Sequence, residues 1–293
     1  MTRFNLLLPN QATAARYRPT GPNGLLLRCA PRIMGAFLSV LIMLALKRHY
    51  SLATADQLDW ILAPTARLVA WFTSAHPAYE SGVGYVDFAR GIIIAPACAG
   101  INFMIMAFGL AVVCGLTQCH RPAAVSGLIV LALPGAYGYT VLVNTLRIAL
   151  STALYRMDIY GQWLTVMRLH RLCGVGLYLA ALWLLFKGLQ WALSLNGRQF
   201  TGLGSKEGRS LPAWLPLCWY AVGTVGLPIM NVLHQVPGPA LAEHCTTILT
   251  AVACVGGSAK LIDALRRPQV RTTIRLCLYR IFNKNRKRRI KGA

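Results

Sequence analysis

Three short segments of the chain hold side chains that could do covalent chemistry. Ala95-Pro96-Ala97-Cys98-Ala99-Gly100-Ile101-Asn102 offers a thiol, Asn144-Thr145-Leu146-Arg147 a guanidinium, and His170-Arg171-Leu172-Cys173-Gly174 an imidazole. A cysteine attacks a carbonyl as its thiolate, and a neighbouring imidazole or guanidinium favours that form. His170 is suited to take the thiol proton and later to protonate a leaving amine. Arg147 cannot lose its proton, which suits it to a developing oxyanion or a substrate carbonyl. A helix beginning at Cys98 would favour the thiolate further through its dipole. The chemistry is acyl transfer at a cysteine. Singly, each residue also has an ordinary role: cysteine as a packing group, arginine as an anchor at a membrane boundary, histidine as an interfacial residue.

The elements that must bring these residues together are membrane helices. Of 293 residues, 56% are hydrophobic and 13% charged, about half the charge of an ordinary soluble chain. Such a sequence cannot cover its apolar surface in water. Apolar runs near the length a bilayer demands, about 20 residues, fall at 33–46 (extendable back to 25), 97–118, 123–146, 169–187, 211–233 and 245–265. The stretch 59–75 is apolar but short, and holds Pro64 and Arg67. We read it as a helix in the interface or packed on the bundle. The expected fold is an all-α, polytopic membrane helical bundle of about six transmembrane helices, with six to eight compatible. The first run is read as a retained anchor, because Lys47-Arg48-His49 closes it and no signal-peptidase-like site does.

Charge fixes the orientation. The net charge is +22, and 21 of the 30 basic residues fall in 1–32, 119–122, 187–211 and 266–293. The positive-inside rule makes these the cytoplasmic stretches and puts both termini inside. The divisions that follow are a basic N-terminal segment (1–32), a membrane core holding the three motifs (33–187), additional membrane helices (188–265) and a basic cytoplasmic tail (266–293). From Cys98 the chain runs inward for about 30 Å, turns at Cys119-His120-Arg121-Pro122, and returns over a similar length to Arg147. His170 then opens the next descent. All three residues are therefore expected at one depth, on the non-cytoplasmic face. The segment 82–94 reads as an extended outer stretch leading to Cys98.

Other chemistries find little support. The basic residues form no stripe interleaved with stacking aromatics, so nucleic acid is not an expected partner. The tail 266–293 holds eleven basic residues and reads as a solvated stop signal, or as a contact for anionic lipid in the bilayer. No CxxC pair, H-E-x-x-H or G-x-S-x-G occurs. His234, His244 and Cys245 could join Cys98 in an outer metal site, a weaker reading; no cofactor is expected. A transporter or an envelope polysaccharide assembly factor is the alternative function. It would want ionisable residues at mid-membrane, and Lys260 with Asp263 is the pair on offer.

The ordered set of segments at Cys98, Asn144-x-x-Arg147 and His170 resembles the three signature motifs of the exosortase/archaeosortase family. Leu46-Lys47-Arg48-His49-Tyr50, Trp60-Ile61-Leu62-Ala63-Pro64-Thr65 and the run Gly91 to Cys98 are similar to the exosortase K branch. The resemblance covers about residues 33 to 187; the region beyond matches no motif. It implies a multi-spanning cysteine transpeptidase or protease of the bacterial inner membrane with its active site on the periplasmic side. Its implied partners are exported proteins bearing a C-terminal, membrane-anchored sorting tail of the PEP-CTERM kind. Carried over by motif, Cys98 is the nucleophile, Arg147 the transition-state stabiliser and His170 the acid/base. Asn102 and Asn144 match motif positions too, without an assigned role.

Overall fold

A computed structural model describes residues 22–119, 121–157, 160–162, 165–200, 211–232, 245, 246, 248–250, 252–254, 256 and 257. The order is α1 (Pro22–Leu52), α2 (Asp59–Thr73), β1 (Ala78–Glu80), β2 (Gly84–Asp87), β3 (Ile92–Ile94), α3 (Ile101–Leu116), α4 (Pro122–Tyr155), α5 (Val166–Phe200) and α6 (Leu215–Val232). Short 3₁₀ turns precede α2 (Asp56–Leu58) and α3 (Pro96–Cys98).

Four helical stretches are long and apolar enough to cross a membrane: Cys29–Leu52, Pro96–Leu116, Pro122–Tyr155 and Arg168–Ser194. The chain is a helical membrane protein. Its outward faces carry Ile33, Met34, Val130, Leu131 and Leu184, each more than half exposed, as a lipid-facing surface requires. α3 is the central helix, with Phe103, Ala107, Phe108, Leu110 and Cys114 all fully buried. α1, α4, α5 and α6 pack around it.

Four helices of crossing length occur among the described residues, and the expected count of about six is not confirmed. The run 211–233 forms α6, Leu215–Val232. The run 245–265 lies partly outside the described residues, as do Lys260, Asp263 and the tail. The span ends also move. α4 continues eight residues past Arg147, and α5 continues thirteen past Lys187. Nothing in Leu146 to Tyr155 breaks a helix: the stretch has no Gly or Pro, and one charged side chain does not stop backbone hydrogen bonding. At 34 residues α4 is about 51 Å long, so Arg147 sits within the helix rather than at its end.

α2 packs against α4. The Tyr137 hydroxyl donates to the Trp60 carbonyl at 2.8 Å, with the two rings 5.7 Å apart. Its inner face buries Ile61, Leu62, Ala66 and Val69. The extended segment before Cys98 is a three-stranded antiparallel sheet, an element additional to the all-α expectation. β2 is central, pairing Tyr79 with Tyr85 on one side and Tyr85 with Ile94 on the other. The sheet is tied to α2 at both ends. Tyr85 donates to Asp59 at 2.8 Å, and Arg90 donates to the Thr73 carbonyl, satisfying one of the acceptors a helix C-terminus leaves open. β3 thus delivers Ala95 to a fixed point beside the bundle, and the chain turns there into α3.

Candidate active site

The turn that carries Cys98 follows from three residues. Pro96 starts it, the Cys98 amide donates to the Ala95 carbonyl at 2.7 Å, and Gly100 then takes φ +74° as the residue before α3. That left-handed conformation favours glycine. A second constraint acts at the same place. A Cβ on Gly100 would lie 3.2 Å from Asn144 Cγ and 3.3 Å from Thr140 Cγ2. Glycine therefore lets α4 approach the start of α3 closely enough for side chains to reach the Cys98 backbone.

Asn144 makes that reach. Its side-chain N–H donates to the Cys98 carbonyl, and its Oδ1 accepts from the Tyr178 hydroxyl at 3.0 Å. Asn144 is fully buried, where an amide left unpaired would cost about 1–3 kcal/mol. Tyr178 is held in turn by its ring, stacked on Phe103 with centroids 4.6 Å apart. The Arg147 guanidinium lies over the other part of this assembly, 5.4 Å from the Tyr178 centroid. α3, α4 and α5 are thereby linked through one hydrogen-bonded chain, Tyr178 to Asn144 to Cys98.

Beside it is a cavity of about 230 Å³, walled by residues including Asn102, Phe103, Arg147, His170, Tyr178 and Tyr220. Arg147 and His170 meet here, as the sequence predicts. Cys98 is not one of the wall residues; it stands next to the cavity, tied to its wall by Asn144. Cys98 and Arg147 lie within electrostatic reach of the same three hydroxyls, those of Tyr50, Tyr155 and Tyr178, and His170 lies within reach of Arg147. The His170 ring is stacked against Tyr155, centroids 6.3 Å apart.

The polar groups of the cavity have capacity to spare. Arg147 Nε and Nη2 and His170 Nδ1 are buried without a hydrogen-bond partner among the described residues. Buried polar atoms in folded proteins are nearly always paired, so such a cluster is a place where a bound molecule can supply the acceptors. Among the described residues no carboxylate borders the cavity. Its chemistry is that of a cationic, largely apolar pocket beside a half-buried thiol.

Several residues here escape a motif reading. Thr140, Asn144, Arg147 and Ser151 form a buried or half-buried polar stripe on α4 at helical spacing, a pattern visible in the sequence once the helix is extended past Arg147. Tyr178 follows His170 and Gly174 at four-residue intervals. Gly174 leaves Arg147 room, since a Cβ there would sit 3.7 Å from Arg147 Cδ. Lys47, read from sequence as the close of the first run, is 8% exposed and sends Nζ to within 3.4 Å of Asn102 Oδ1. α6, from the region that matched no motif, contributes Tyr220, Gly223 and Thr224 to the wall.

Among the described residues no group of three or more metal-ligating side chains occurs; His234 and His244 lie outside them. No family model, curated protein or solved structure matches this chain.

Proposed function

We propose that the chain is an exosortase-like membrane cysteine transpeptidase or protease. It would cut the C-terminal sorting tails of exported proteins at the outer face of the bacterial inner membrane. The observation that carries this reading is the meeting of Arg147 and His170, with buried nitrogens unpartnered among the described residues, at one cavity whose wall residue Tyr178 is linked through Asn144 to the Cys98 carbonyl. The resemblance of the three motifs, in order, supports the same assignment.

The chemistry runs in two steps. His170 accepts the Cys98 proton, and the thiolate attacks the scissile carbonyl; a C–S bond forms and the carbonyl electrons move to oxygen. The Arg147 N–H groups receive that oxyanion in a setting where water is sparse and electrostatic contacts are strong. Collapse breaks the C–N bond, and His170 returns the proton to the leaving amine of the tail. The acyl group, now a thioester on Cys98, passes to an acceptor that His170 deprotonates. The tail would cross the bilayer beside α4 and α5, where apolar side chains such as Val130, Leu131 and Leu184 are exposed.

The test is processing of a co-expressed PEP-CTERM-type substrate by wild type and by Cys98→Ala, Arg147→Ala and His170→Ala, with membrane levels of each variant matched. Loss of the shortened product in all three variants is the expected result. Undiminished processing by Cys98→Ala removes the nucleophile and the mechanism with it.

A further inference from the structure

Lys47 is a buried cation with no carboxylate beside it among the described residues. It lies near the end of α1, within an apolar crossing stretch, 8% exposed, and no ion pair involves it among the described residues. Burying an ammonium costs several kcal/mol unless other groups compensate, and such residues in membrane helices mark function more often than packing. Its surroundings are specific. Nζ stands 5.5 Å from the Tyr50 ring centroid and 3.4 Å from Asn102 Oδ1. Tyr50 is in electrostatic reach of both Cys98 and Arg147. Asn102 sits in the first turn of α3, four residues after Cys98, and lines the cavity with Arg147 and His170.

The polarity of this contact is fixed by chemistry. An ammonium has three donors and no acceptor, so only the oxygen end of an amide can face it. Asn102 therefore presents Oδ1 to Lys47, and its NH₂ is the end left over. Among the described residues Lys47 is the one hydrogen-bond partner of the Asn102 side chain. Its NH₂ group is thus an uncommitted donor on a residue of the cavity wall. Without the lysine, the amide could turn over and offer an acceptor to the cavity instead.

We propose that Asn102 is a second oxyanion donor, acting with Arg147, and that Lys47 is the positioning residue that holds the Asn102 amide with its N–H groups available to the reacting carbonyl. This rests on the acyl-transfer reading of the site and deepens it. A single oxyanion donor is worth about 10² to 10³ in rate. The 3.4 Å separation is long for a charge-assisted bond and is of the kind that shortens when charge develops in the complex.

The experiment separates donor polarity from packing and needs no natural substrate. Purified protein is treated with p-nitrophenyl acetate, and acetylation of the Cys98 peptide is followed by mass spectrometry. Here the thiolate attacks the ester carbonyl, an oxyanion forms, and collapse expels p-nitrophenolate to leave a thioester. Iodoacetamide, which alkylates by displacement of iodide with no oxyanion, is the control. Four changes at one position are compared: Lys47→Arg and Lys47→Gln keep a donor toward Asn102 Oδ1, Lys47→Met keeps only bulk, and Lys47→Glu offers acceptors.

The expected order of acetylation rate is Arg and Gln above Met, with Glu lowest. Asn102→Ala should lose about a hundredfold. Alkylation by iodoacetamide should change far less across the whole set. A merely structural lysine gives a different order, because the apolar Met is the best-tolerated replacement inside a membrane helix. Acetylation that ignores the donor character at 47, or that falls in parallel with alkylation, overturns this inference and leaves the proposed function standing. Failure of Cys98 to be acetylated in wild type overturns both.

Discussion

Asn144 on α4 hydrogen-bonds the backbone carbonyl of Cys98, 46 positions earlier in the chain, and so sets the position of the thiol-bearing turn from a separate helix. The turn is held through the Cys98 peptide, and the half-buried Cys98 side chain also packs against the hydrophobic core. Removing the amide should therefore displace the turn and orphan two groups at once, the Cys98 carbonyl and the Tyr178 hydroxyl.

Asn144→Ala is expected to lower stability by about 2 kcal/mol, the cost of buried polar groups left unpaired. Thermal unfolding in detergent, measured against wild type, reads that loss. Acylation of Cys98 should fall by at least tenfold in the folded fraction, since an ångström of misplacement at a nucleophile is expensive. Normal stability with Asn144→Ala would show that this bond positions nothing.

Gly100→Ala tests the close approach on which that bond depends. The substitution meets two obstacles: a backbone φ of +74°, and a Cβ placed 3.2 Å from Asn144 Cγ. The first costs about 1 kcal/mol, and the second forces α3 and α4 apart by a few tenths of an ångström. Stability should fall by about 1–3 kcal/mol, with the Cys98 acylation rate falling alongside. Asn144→Ala combined with Gly100→Ala should cost less than the two separately, because both break the same contact.

The sheet should open in acid. Asp87 accepts the His76 amide at 2.8 Å and the Arg90 amide at 3.1 Å. The His76 N–H, aided by the amides of Arg90 and Ala89 and by the Arg90 charge, holds its carboxyl below the usual range, against partial burial that pulls the other way. A lowered folded-state pKa stabilises at pH above the unfolded value, about 3.9, and that stabilisation disappears as pH falls through the folded value. Protection of the His76 and Arg90 amides from hydrogen exchange, taken relative to the intrinsic rate at each pH, should thus fall below about pH 4 in wild type. In Asp87→Asn the exchange should be faster at neutral pH and lose this acid step.

Much of this arrangement is legible in the sequence, and the residues that were missed share a cause. Cys98, Arg147 and His170 stand out because each is chemically odd within an apolar run, and the reversal of the chain between helices predicts that they end near one another. Arg147 and His170 do share a cavity. What linear reading misplaces is the end of each helix: Arg147 and Lys187 look like boundaries, yet the helices run through both, since charge alone does not break a backbone hydrogen-bond ladder. Treating Lys47 as a boundary hid it in the same way. The role of Asn144 depends on how closely α4 approaches α3, a distance set by Gly100 and invisible in a motif. The wall supplied by α6 was illegible too, because a tyrosine, a glycine and a threonine in an apolar helix carry no chemical signal until packing places them.

α6 gives a way to disturb the cavity without touching any chemical group. Trp219 Nε1 donates to the Met106 carbonyl at 2.9 Å, and Gly109 on α3 makes room for its ring: a Cβ there would come within 2.4 Å of Trp219 Cζ2. Gly109→Val should push α6 outward and, with it, the Tyr220 and Thr224 side of the cavity. Acylation of Cys98 by a bulky ester should then fall less than acylation by a sorting-tail peptide, whose fit depends on the full wall. Equal losses with both reagents would mean that α6 supports the fold and does not shape the pocket.

Arg147 offers the sharpest separation of stability from activity. Two of its guanidinium nitrogens are buried without partners among the described residues, and its main compensation there is the Tyr178 ring at 5.4 Å. That contact contributes about 1–2 kcal/mol, set against a larger cost of holding a charge away from water. A group retained purely for structure would not be left in this state. Arg147→Met keeps the length and apolar stem while removing the charge. Its unfolding temperature in detergent should equal or exceed that of wild type, while processing of a sorting-tail substrate should drop at least a hundredfold, the loss of an oxyanion donor. Arg147→Lys retains charge without the planar fork, so it should recover little activity and none of the stability gained by methionine. A clear drop in unfolding temperature for Arg147→Met would instead show that the guanidinium is a structural tie between α4 and α5, and the assignment of Arg147 to the reaction would fall.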